Sequence, residues 1–256
     1  MKLINALTLK NKEMICFVGA GGKSGLLSLL ARECAVTGAR VLVTTSTKMY
    51  YRQLKDCSPQ VVLEKEENLL DKLVKLCSKT NLLAAGKGIS GEQKVDGLSK
   101  ECLDQIYRSG LFDYVLVEAD GSRGKSMKAP AEHEPVLPSL ATTVLPVVGM
   151  DILGCPLTEE FVHRPHLVAR VAGQNTGEPV TETTVVKVFR HYELIAKQAS
   201  PGICWVPVLN KMDCLEERKK ARELAMQLLN PTTPRVLLTS ALSHNPVLEV
   251  MEWFPQ

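Results

Sequence analysis

An apolar run that ends in a cluster of glycines and a Lys-Ser pair constrains the fold of this chain more than any other feature. Residues 14–18 (MICFV) form the run, and residues 19–24 (GAGGKS) follow it directly. A short apolar run bounded by glycines is typical of a strand buried on both faces of a parallel sheet. Apolar positions from Leu26 to Ala31, with Gly38 beyond them, predict a helix after the loop.

The same alternation of strands and helices continues along most of the chain. We predict further strands at 40–45, 60–63, 82–85, 114–117, 143–148, 203–209 and 235–239, and the strand at 235–239 is predicted to be the last one. We predict further helices at 68–76, 98–107 and 216–229. The stretch 86–97 (GKGISGEQKVDG) is predicted to be flexible. This order predicts a P-loop NTPase-like α/β fold with a mostly parallel, doubly wound sheet that binds ligands at the carboxyl ends of its strands.

Residues 150–200 lack this rhythm, and we predict that they form a helical insertion within a single domain spanning residues 1–256. The net charge of +3 is small, and both signs are mixed along the chain, so neither a nucleic acid nor a membrane is expected as the main partner. The eight scattered cysteines include no C-x-x-C pair, and no apolar run reaches about 18 residues. We therefore expect a cytoplasmic protein.

The loop after the first strand has what a phosphate chain needs. Its glycines let backbone N–H groups approach the phosphates, and the Ser24 hydroxyl can bind Mg²⁺. We expect Lys23 to be an exposed cation at the end of the loop, from which it can reach the β and γ phosphates. Phe17 replaces the first glycine of the full G-x-x-x-x-G-K-[ST] motif, so the loop is closer to the short G-x-x-G-K-[ST] form of Mur-ligase-like enzymes. The alternative is a tight glycine turn. The predicted nucleotide-binding residues here are Gly19, Ala20, Gly21, Gly22, Lys23, Ser24 and Gly25.

Carboxylates and hydroxyls follow two other predicted strands. Glu118 and Asp120 come after the strand 114–117, and either can hold Mg²⁺ or orient the attacking water. Thr45 and Thr47 end the second strand, on the same edge of a parallel sheet as the glycine loop. We predict that Ser24 and these four residues form the metal site, although an acidic turn that caps a strand would look the same.

Two further segments resemble the guanine-recognition elements N-K-x-D and S-A-[KL] of GTPases. They are residues 210–213 (NKMD) and 240–242 (SAL), each directly after a predicted strand. In that resemblance the Asp213 carboxylate accepts hydrogen bonds from guanine N1 and N2, and the Ala241 amide donates to guanine O6. Asn210 and Lys211 support the pocket, and Ser240 lies beside it. Ordinary turn residues are the alternative, so either GTP or ATP remains open as the substrate.

Cations and histidines lie beyond the acidic turn. Arg123, Lys125 and Lys128 can stabilise the negative charge of a phosphoryl group during its transfer, and Arg123 is our catalytic candidate for this role. Alternatively, the three cations hold an anionic substrate or lie in a solvated loop. Glu132-His133-Glu134 and the pair His163 and His166 have no tight zinc spacing with thiolates, so we favour a structural or substrate role for them.

Taken together, these segments resemble the YqeC family of selenium-dependent hydroxylase accessory proteins. The resemblance rests on GAGGKS (19–24), VLVTTSTKM (41–49), VLVEADGSRGKSMKAPAEHEPVLP (115–138), VVG (147–149), VHRP (162–165) and VLNKMD (208–213). The chain departs from the family at Gly25, where a Thr is frequent, so a hydroxyl near the α phosphate is missing. The resemblance implies a role in the maturation of a selenium-dependent molybdenum hydroxylase, with that enzyme or its selenium or cofactor donor as partner.

Three functions are compatible with these residues. The leading hypothesis is a Mg²⁺-dependent GTPase or ATPase that serves cofactor-enzyme maturation. A second is an ATP-dependent ligase or kinase acting on a small anion, which the short loop and the cations from Arg123 to Lys128 favour. The third is a chaperone or scaffold that uses the nucleotide only as a switch.

Overall fold

A computed structural model describes residues 1–91, 93–214 and 218–255 of the chain. The strands are β1 (Glu13–Gly19), β2 (Val41–Thr45), β3 (Lys48–Tyr50), β4 (Val61–Leu63), β5 (Leu82–Gly86), β6 (Ile89–Ser90), β7 (Lys94–Asp96), β8 (Tyr114–Glu118), β9 (Met127–Lys128), β10 (Thr143–Gly149), β11 (Val162–His163), β12 (Cys204–Trp205), β13 (Val208–Asn210), β14 (Arg235–Thr239) and β15 (Val247–Glu252). The helices are α1 (Leu3–Leu7), α2 (Lys23–Val36), α3 (Tyr51–Cys57), α4 (Glu66–Cys77), α5 (Lys100–Ser109), α6 (Pro165–Ala172), α7 (Glu182–Ala199) and α8 (Arg218–Leu228).

The main sheet has β1 near its centre, in the order β15-β14-β13-β10-β1-β8-β2-β5-β4. Every pair along this path is parallel except β14 with β15, which is antiparallel. The chain moves outward from β1 to β4 and then returns through β8 to the other side of β1. Such a reversal leaves a crevice at the carboxyl ends of the central strands, where ligands of open α/β sheets bind.

Apolar residues of alternate strand positions pack against helices on both faces of the sheet. One core cluster contains Met14, Cys16 and Val18 of β1 together with residues of α4, α5 and α7. The other contains Ile15 and Phe17 of the same strand with residues of α1, α2 and α3. Because β1 is buried on both faces, its sequence is continuously apolar instead of alternating. The predicted P-loop NTPase-like, mostly parallel and doubly wound fold is confirmed.

Most of the predicted strands and helices are present, and the clearest disagreement among them is the strand predicted at 203–209. It is split into β12 and β13 around Pro207, which has no N–H to donate to a sheet. β12 pairs with β10 at Thr143 and Val144, and β13 pairs with it from Val147 onward. Pro146 in β10 therefore lies opposite the break, which explains how a central strand tolerates a proline.

Other elements lie where the sequence predicted none. Residues 235–239 are not the last strand, because β15 follows and covers the edge of β14. The stretch 86–97 is not simply flexible: β6 and β7 form a hairpin there that pairs with β3. Of the helix predicted at 216–229, residues 216 and 217 lie outside the described residues, and α8 covers Arg218–Leu228.

The segment 150–200 contains α6 and α7, joined to the rest of the chain by the pairing of β11 with β9. Pro165 occupies the first turn of α6, where its missing N–H costs no hydrogen bond, and Gly173 ends the helix in a left-handed conformation. Helix α7 begins at a Thr181 cap whose hydroxyl accepts from the amide of Thr184. All eight cysteines are free, and no helix within the described residues is long and apolar enough to cross a membrane.

Candidate functional site

The glycine loop joins the end of β1 to the start of α2, and three hydrogen bonds donated by its backbone amides hold it in place. The amide of Gly19 donates to the Asp120 carboxylate at 3.0 Å, that of Ala20 to the Val147 carbonyl at 2.9 Å, and that of Gly21 to the Lys125 carbonyl at 2.9 Å. The loop is therefore fixed by the segment after β8 and by the neighbouring strand β10.

None of the three glycines between positions 19 and 22 can be replaced by another residue without displacing a neighbour. At Gly19, with φ of 87°, a Cβ would lie 2.5 Å from the Val147 carbonyl oxygen. At Gly21, with φ of 90°, a Cβ would lie 2.0 Å from the backbone nitrogen of Gly149. At Gly22, with φ of 109°, it would lie 2.5 Å from the side-chain nitrogen of Asn210. Gly22 also supplies no side chain to cap α2, so the amides of the first turn of α2 face the cleft without a capping group from it.

Lys23 differs from the exposed cation that we expected at this position. Its side chain is 2% exposed, its Nζ lies 3.0 Å from the Asp120 carboxylate, and it donates to the Gly19 carbonyl. A buried ammonium needs a counterion, and Asp120 provides it here. The expectation of an exposed Lys23 is wrong, because its ammonium group lies against the Gly19 carbonyl and the buried Asp120 carboxylate.

Ser24, Glu118 and the two threonines meet at the carboxyl ends of β8 and β2. The Ser24 hydroxyl donates to Glu118 Oε2 at 2.7 Å and accepts from the Gln53 amide at 3.0 Å. The Thr45 hydroxyl donates to the Glu118 carbonyl at 2.8 Å and lies 3.4 Å from that of Thr47. Burial raises the pKa of Glu118 above its ordinary value, in spite of nearby Lys23 and the Ser24 hydrogen bond.

Asp120 lies behind this group and is completely buried. Besides Gly19 and Lys23, it accepts from the Tyr192 hydroxyl at 2.8 Å and pairs with Lys128 at 3.3 Å. Burial by itself would raise the pKa of Asp120, but the ammonium groups of Lys23 and Lys128 outweigh it and the pKa lies below its ordinary value. Asp120 therefore contacts the phosphate loop and not the cleft, whereas Glu118 lines the cleft.

The ion pairs continue from Asp120 through a buried chain of alternating charge. Lys128 is fully buried and lies 2.7 Å from Glu134, which in turn pairs with Arg164 at 2.8 Å. Lys128 thus fits neither the solvated-loop interpretation nor that of an open anion site. Glu134 is committed to these two cations, and no cluster of three or more metal-binding side chains occurs within the described ranges.

Asn210 ties the guanine-like elements to the phosphate loop. Its side-chain nitrogen donates to the Gly21 carbonyl at 2.8 Å, and its side-chain oxygen accepts from the Thr239 hydroxyl at 2.9 Å and the Ala241 amide at 3.3 Å. A Cβ built on Gly25 would lie 3.7 Å from the Ala241 side chain. The structure thus brings the two segments next to the start of α2, with the Ala241 amide already used by Asn210.

Asp213 and Lys211 point in different directions from this turn. Asp213 is exposed, and the Ser240 hydroxyl donates to its carboxylate, which lowers the pKa of Asp213. Lys211 lies 2.7 Å from both the Ser126 hydroxyl and the Asp151 carboxylate. It braces the turn against the start of the 150–200 segment, a contact that the sequence did not predict.

A cleft of about 1150 Å³ opens beside the phosphate loop. Gly22 to Gly25 form one wall, and Arg123, Lys125, His133, His163 and Arg164 lie among the residues of the others, whereas His166 is not among them. Burial, followed by the positive charges of Lys128, Arg164 and Arg123, lowers the pKa of His163 from 6.5 to about 4. His163 is therefore neutral at physiological pH.

Two residues of this site carry no sequence signal that we recognised. Tyr192 comes from α7, more than seventy positions away from its partner Asp120, and on the helix it is one apolar-face residue among several. Gln53 lies in the short helix α3, in a segment that gave no prediction. Tyr192 is only 2% exposed, whereas the polar side chains of a site are ordinarily accessible to solvent.

The solved structures that match this chain share little sequence with it. A chain of the MinC:MinD cell division protein complex from Aquifex aeolicus has a TM-score of 0.47 and 15% identity, covering 88% of this chain and 81% of that one. A GTPase in apo form from Pyrococcus abyssi has a TM-score of 0.38 and 18% identity over 90% of both chains. FtsY from Mycoplasma mycoides has a TM-score of 0.33 and 11% identity, covering 90% of this chain and 53% of that one. The strand order and the phosphate loop, and not these scores, carry the fold assignment.

Sequence similarity identifies the family directly. A curated relative from Escherichia coli (strain K12), described as uncharacterized protein YqeC, is 30% identical over 235 residues, which cover 92% of this chain and 90% of the relative. The family model described as YqeC protein matches residues 15–166, which include the phosphate loop, Glu118, Asp120 and the buried chain of ion pairs. The chain belongs to the YqeC family.

Proposed function

We propose that this protein binds a nucleoside triphosphate with Mg²⁺ at the phosphate loop and hydrolyses it. The observation that carries the proposal is the start of α2, where glycines without side chains place uncapped amides, Lys23 and Ser24 at one wall of the cleft. The amino end of a helix attracts phosphate through its N–H groups and its dipole. A ligand phosphate there replaces the Asp120 carboxylate as the anion that Lys23 faces.

Ser24 and Glu118 are suited to hold Mg²⁺. The hydroxyl and the carboxylate already lie 2.7 Å apart, and oxygen ligands of this kind are those that Mg²⁺ prefers. Mg²⁺ held by these two residues would neutralise part of the negative charge of the phosphates. Thr45 and Thr47 lie beside Glu118, and the Thr45 hydroxyl donates to the Glu118 backbone carbonyl. We assign Asp120 to positioning the loop through Gly19 and Lys23, and Arg123 to the phosphate side of the cleft.

The nucleotide base is proposed to lie on the other side of the loop, against Asp213, Ser240 and Ala241. Asn210 supports this arrangement because it joins the Gly21 carbonyl to the Ala241 amide. If Asp213 accepts from guanine N1 and N2, GTP binds better than ATP, and Asp213→Asn weakens GTP and favours xanthosine triphosphate. Competition titrations of the three nucleotides measure this, and equal binding of ATP and GTP by the unmodified protein refutes the guanine assignment.

Binding of labelled ATP and GTP with and without Mg²⁺, followed by phosphate release, tests the function itself. Ser24→Ala is expected to weaken Mg²⁺-dependent binding at least about tenfold, the equivalent of 1.4 kcal/mol. Ser28→Ala, one turn later in the same helix, is the matched control, because its hydroxyl donates to the Asp56 carbonyl away from the cleft. Equal loss in both variants, or binding that ignores Mg²⁺, contradicts the proposal.

For the biological process, we propose maturation of a selenium-dependent molybdenum hydroxylase in the cytoplasm, supported by membership of the YqeC family. We also propose that the chain is a single domain with residues 150–200 inserted, since this segment supplies Tyr192 to Asp120 and Arg164 to the cleft. Cells without the protein are expected to keep the hydroxylase polypeptide but lose its activity. Wild-type protein restores that activity and the Ser24→Ala variant does not, whereas restoration by both contradicts the proposed process.

A further inference from the structure

The cleft continues well beyond the phosphate loop, and of the guanine-like elements it is Lys211 that lines it. Arg123 and Lys125 line it from the segment after β8, and His163 and Arg164 line it from β11 and the start of α6. Asp213, Ser240 and Ala241 are not among its lining residues. A nucleotide base held by Asp213, Ser240 and Ala241 would therefore lie outside this cleft. Much of its volume of about 1150 Å³ is then left for another ligand, beyond the position of the terminal phosphate.

The charge of this space is strongly positive. Among the residues that the structure describes, seven Lys or Arg side chains and two Glu side chains line the cleft. The two carboxylates are committed, since Glu118 accepts from Ser24 and Glu134 pairs with Lys128 and Arg164. A cleft lined by one sign of charge attracts ligands of the opposite sign.

Several of the cations already have carboxylate partners, so those that lack one are informative. Lys23 pairs with Asp120, Lys48 with Asp96 and Lys211 with Asp151. Arg123 makes no ion pair or hydrogen bond within the described part of the chain, and the Lys125 ammonium donates to the backbone carbonyl of Glu160. These two side chains thus add positive charge to the cleft that no carboxylate of the described residues balances.

His163 shows that these charges converge on one place. Lys128 lies opposite His163 in the pairing of β9 with β11, Arg123 and Arg164 line the same cleft, and the charges of all three act on the imidazole. A neutral imidazole surrounded by guanidinium groups can donate a hydrogen bond to an anion that the guanidinium groups attract. The first turn of α6 begins directly after Arg164 and contains Pro165, so this helix adds a favourable dipole to the same wall.

We propose that Arg123, Lys125, His163 and Arg164 form a binding subsite for a second substrate that is a small oxyanion, bearing a carboxylate or phosphate group, beside the terminal phosphate of the nucleotide. The inference rests on the proposed function, because the nucleotide fixes what the second ligand faces. An oxygen of this ligand would attack the terminal phosphorus in place of water, the bond from that phosphorus to the bridging oxygen would break, and the nucleoside diphosphate would leave. Guanidinium groups fit planar carboxylate and tetrahedral phosphate oxygens alike through paired N–H donors.

The test is a titration of inorganic phosphate, and separately of acetate, into protein saturated with a non-hydrolysable triphosphate and Mg²⁺. Since the phosphate loop is then filled, we expect one additional anion site by calorimetry. Arg123→Gln is expected to raise its dissociation constant at least about tenfold, the equivalent of 1.4 kcal/mol. Arg108→Gln is the matched control, because Arg108 is an exposed arginine in the last turn of α5 and does not line the cleft.

Thermal unfolding checks that both variants fold, which we expect because neither side chain makes a hydrogen bond or ion pair within the described residues. Binding of the triphosphate without any additional anion site, or with a site that Arg123→Gln leaves unchanged, overturns the inference while the proposed function stands. Failure of the wild-type protein to bind the triphosphate overturns the proposed function, and with it the second-substrate subsite.

Discussion

The buried carboxylate of Asp120 holds two ammonium groups, and its replacement by the isosteric amide is the sharpest test of this arrangement. In Asp120→Asn, Lys23 loses the carboxylate at 3.0 Å, whereas Lys128 keeps Glu134 at 2.7 Å. The amide oxygen can still accept from the Gly19 amide or the Tyr192 hydroxyl. Because an uncompensated buried charge costs about 3–5 kcal/mol and one cation keeps a partner, we expect a loss of about 3 kcal/mol.

Urea unfolding at pH 7 measures this loss, and the melting temperature is expected to fall by about 6–12 °C in a chain of this size. Asp113→Asn is the control, since Asp113 pairs with Arg40 at 3.1 Å with side chains 35% and 43% exposed. Such a surface pair contributes about 0–1 kcal/mol. A loss below about 1 kcal/mol for Asp120→Asn would show that Lys23 does not depend on this carboxylate.

The pH dependence gives an independent check of the same pair. The pKa of Asp120 is lowered in the folded protein, so its stabilisation is complete above the ordinary pKa of about 3.9 and is lost as the pH falls through the folded pKa. The difference in unfolding free energy between wild type and Asp120→Asn should therefore stay constant from pH 8 to pH 5. A difference that already shrinks between pH 7 and pH 5 refutes the assignment.

Three further predictions concern other parts of the site. Gly21→Ala should lower the unfolding free energy by more than about 2 kcal/mol in urea titrations, because its Cβ meets the Gly149 backbone, whereas Gly154→Ala, with open space around it, should cost about 1 kcal/mol. Glu118→Gln should slow steady-state hydrolysis about 100-fold with less than tenfold weaker binding, and equal effects on both would assign Glu118 to binding alone. Because the pKa of His163 is lowered to about 4, its burial destabilises the fold as the pH falls from 6.5 towards 4, and His163→Gln should reduce the drop in melting temperature between pH 7 and pH 5.

The sequence predicted those elements whose apolar pattern and punctuation agree. β1 and α2 are marked by a continuous apolar run, glycines and helical periodicity, and β14 matches the predicted bounds 235–239. The strand at 203–209 is different, because its apolar residues continue through Pro207 while the backbone donor that a strand needs is missing there. Composition signals burial, whereas hydrogen bonding decides whether a strand continues.

The candidate site shows the same division between local and distant signals. The loop 19–24 was found because its residues are adjacent in the chain, and the order of the strands then placed Glu118 and Thr45 beside it. The contacts of Lys23 were not predictable, because its burial depends on Asp120, which Tyr192 and Lys128 hold from distant segments. A lysine in a loop is ordinarily solvated, and only the assembled set of partners makes it a buried ion pair.

The backbone of Gly21 has a consequence for how ligands communicate. Its N–H donates to the Lys125 carbonyl and its carbonyl accepts from the Asn210 side-chain amide, so this one residue joins the anion side of the cleft to the base side. Any displacement of Gly21 on phosphate binding is shared by both loops. Thermodynamic linkage then requires reciprocity: by whatever factor a bound nucleotide changes the affinity for the oxyanion, the oxyanion changes the affinity for the nucleotide by the same factor.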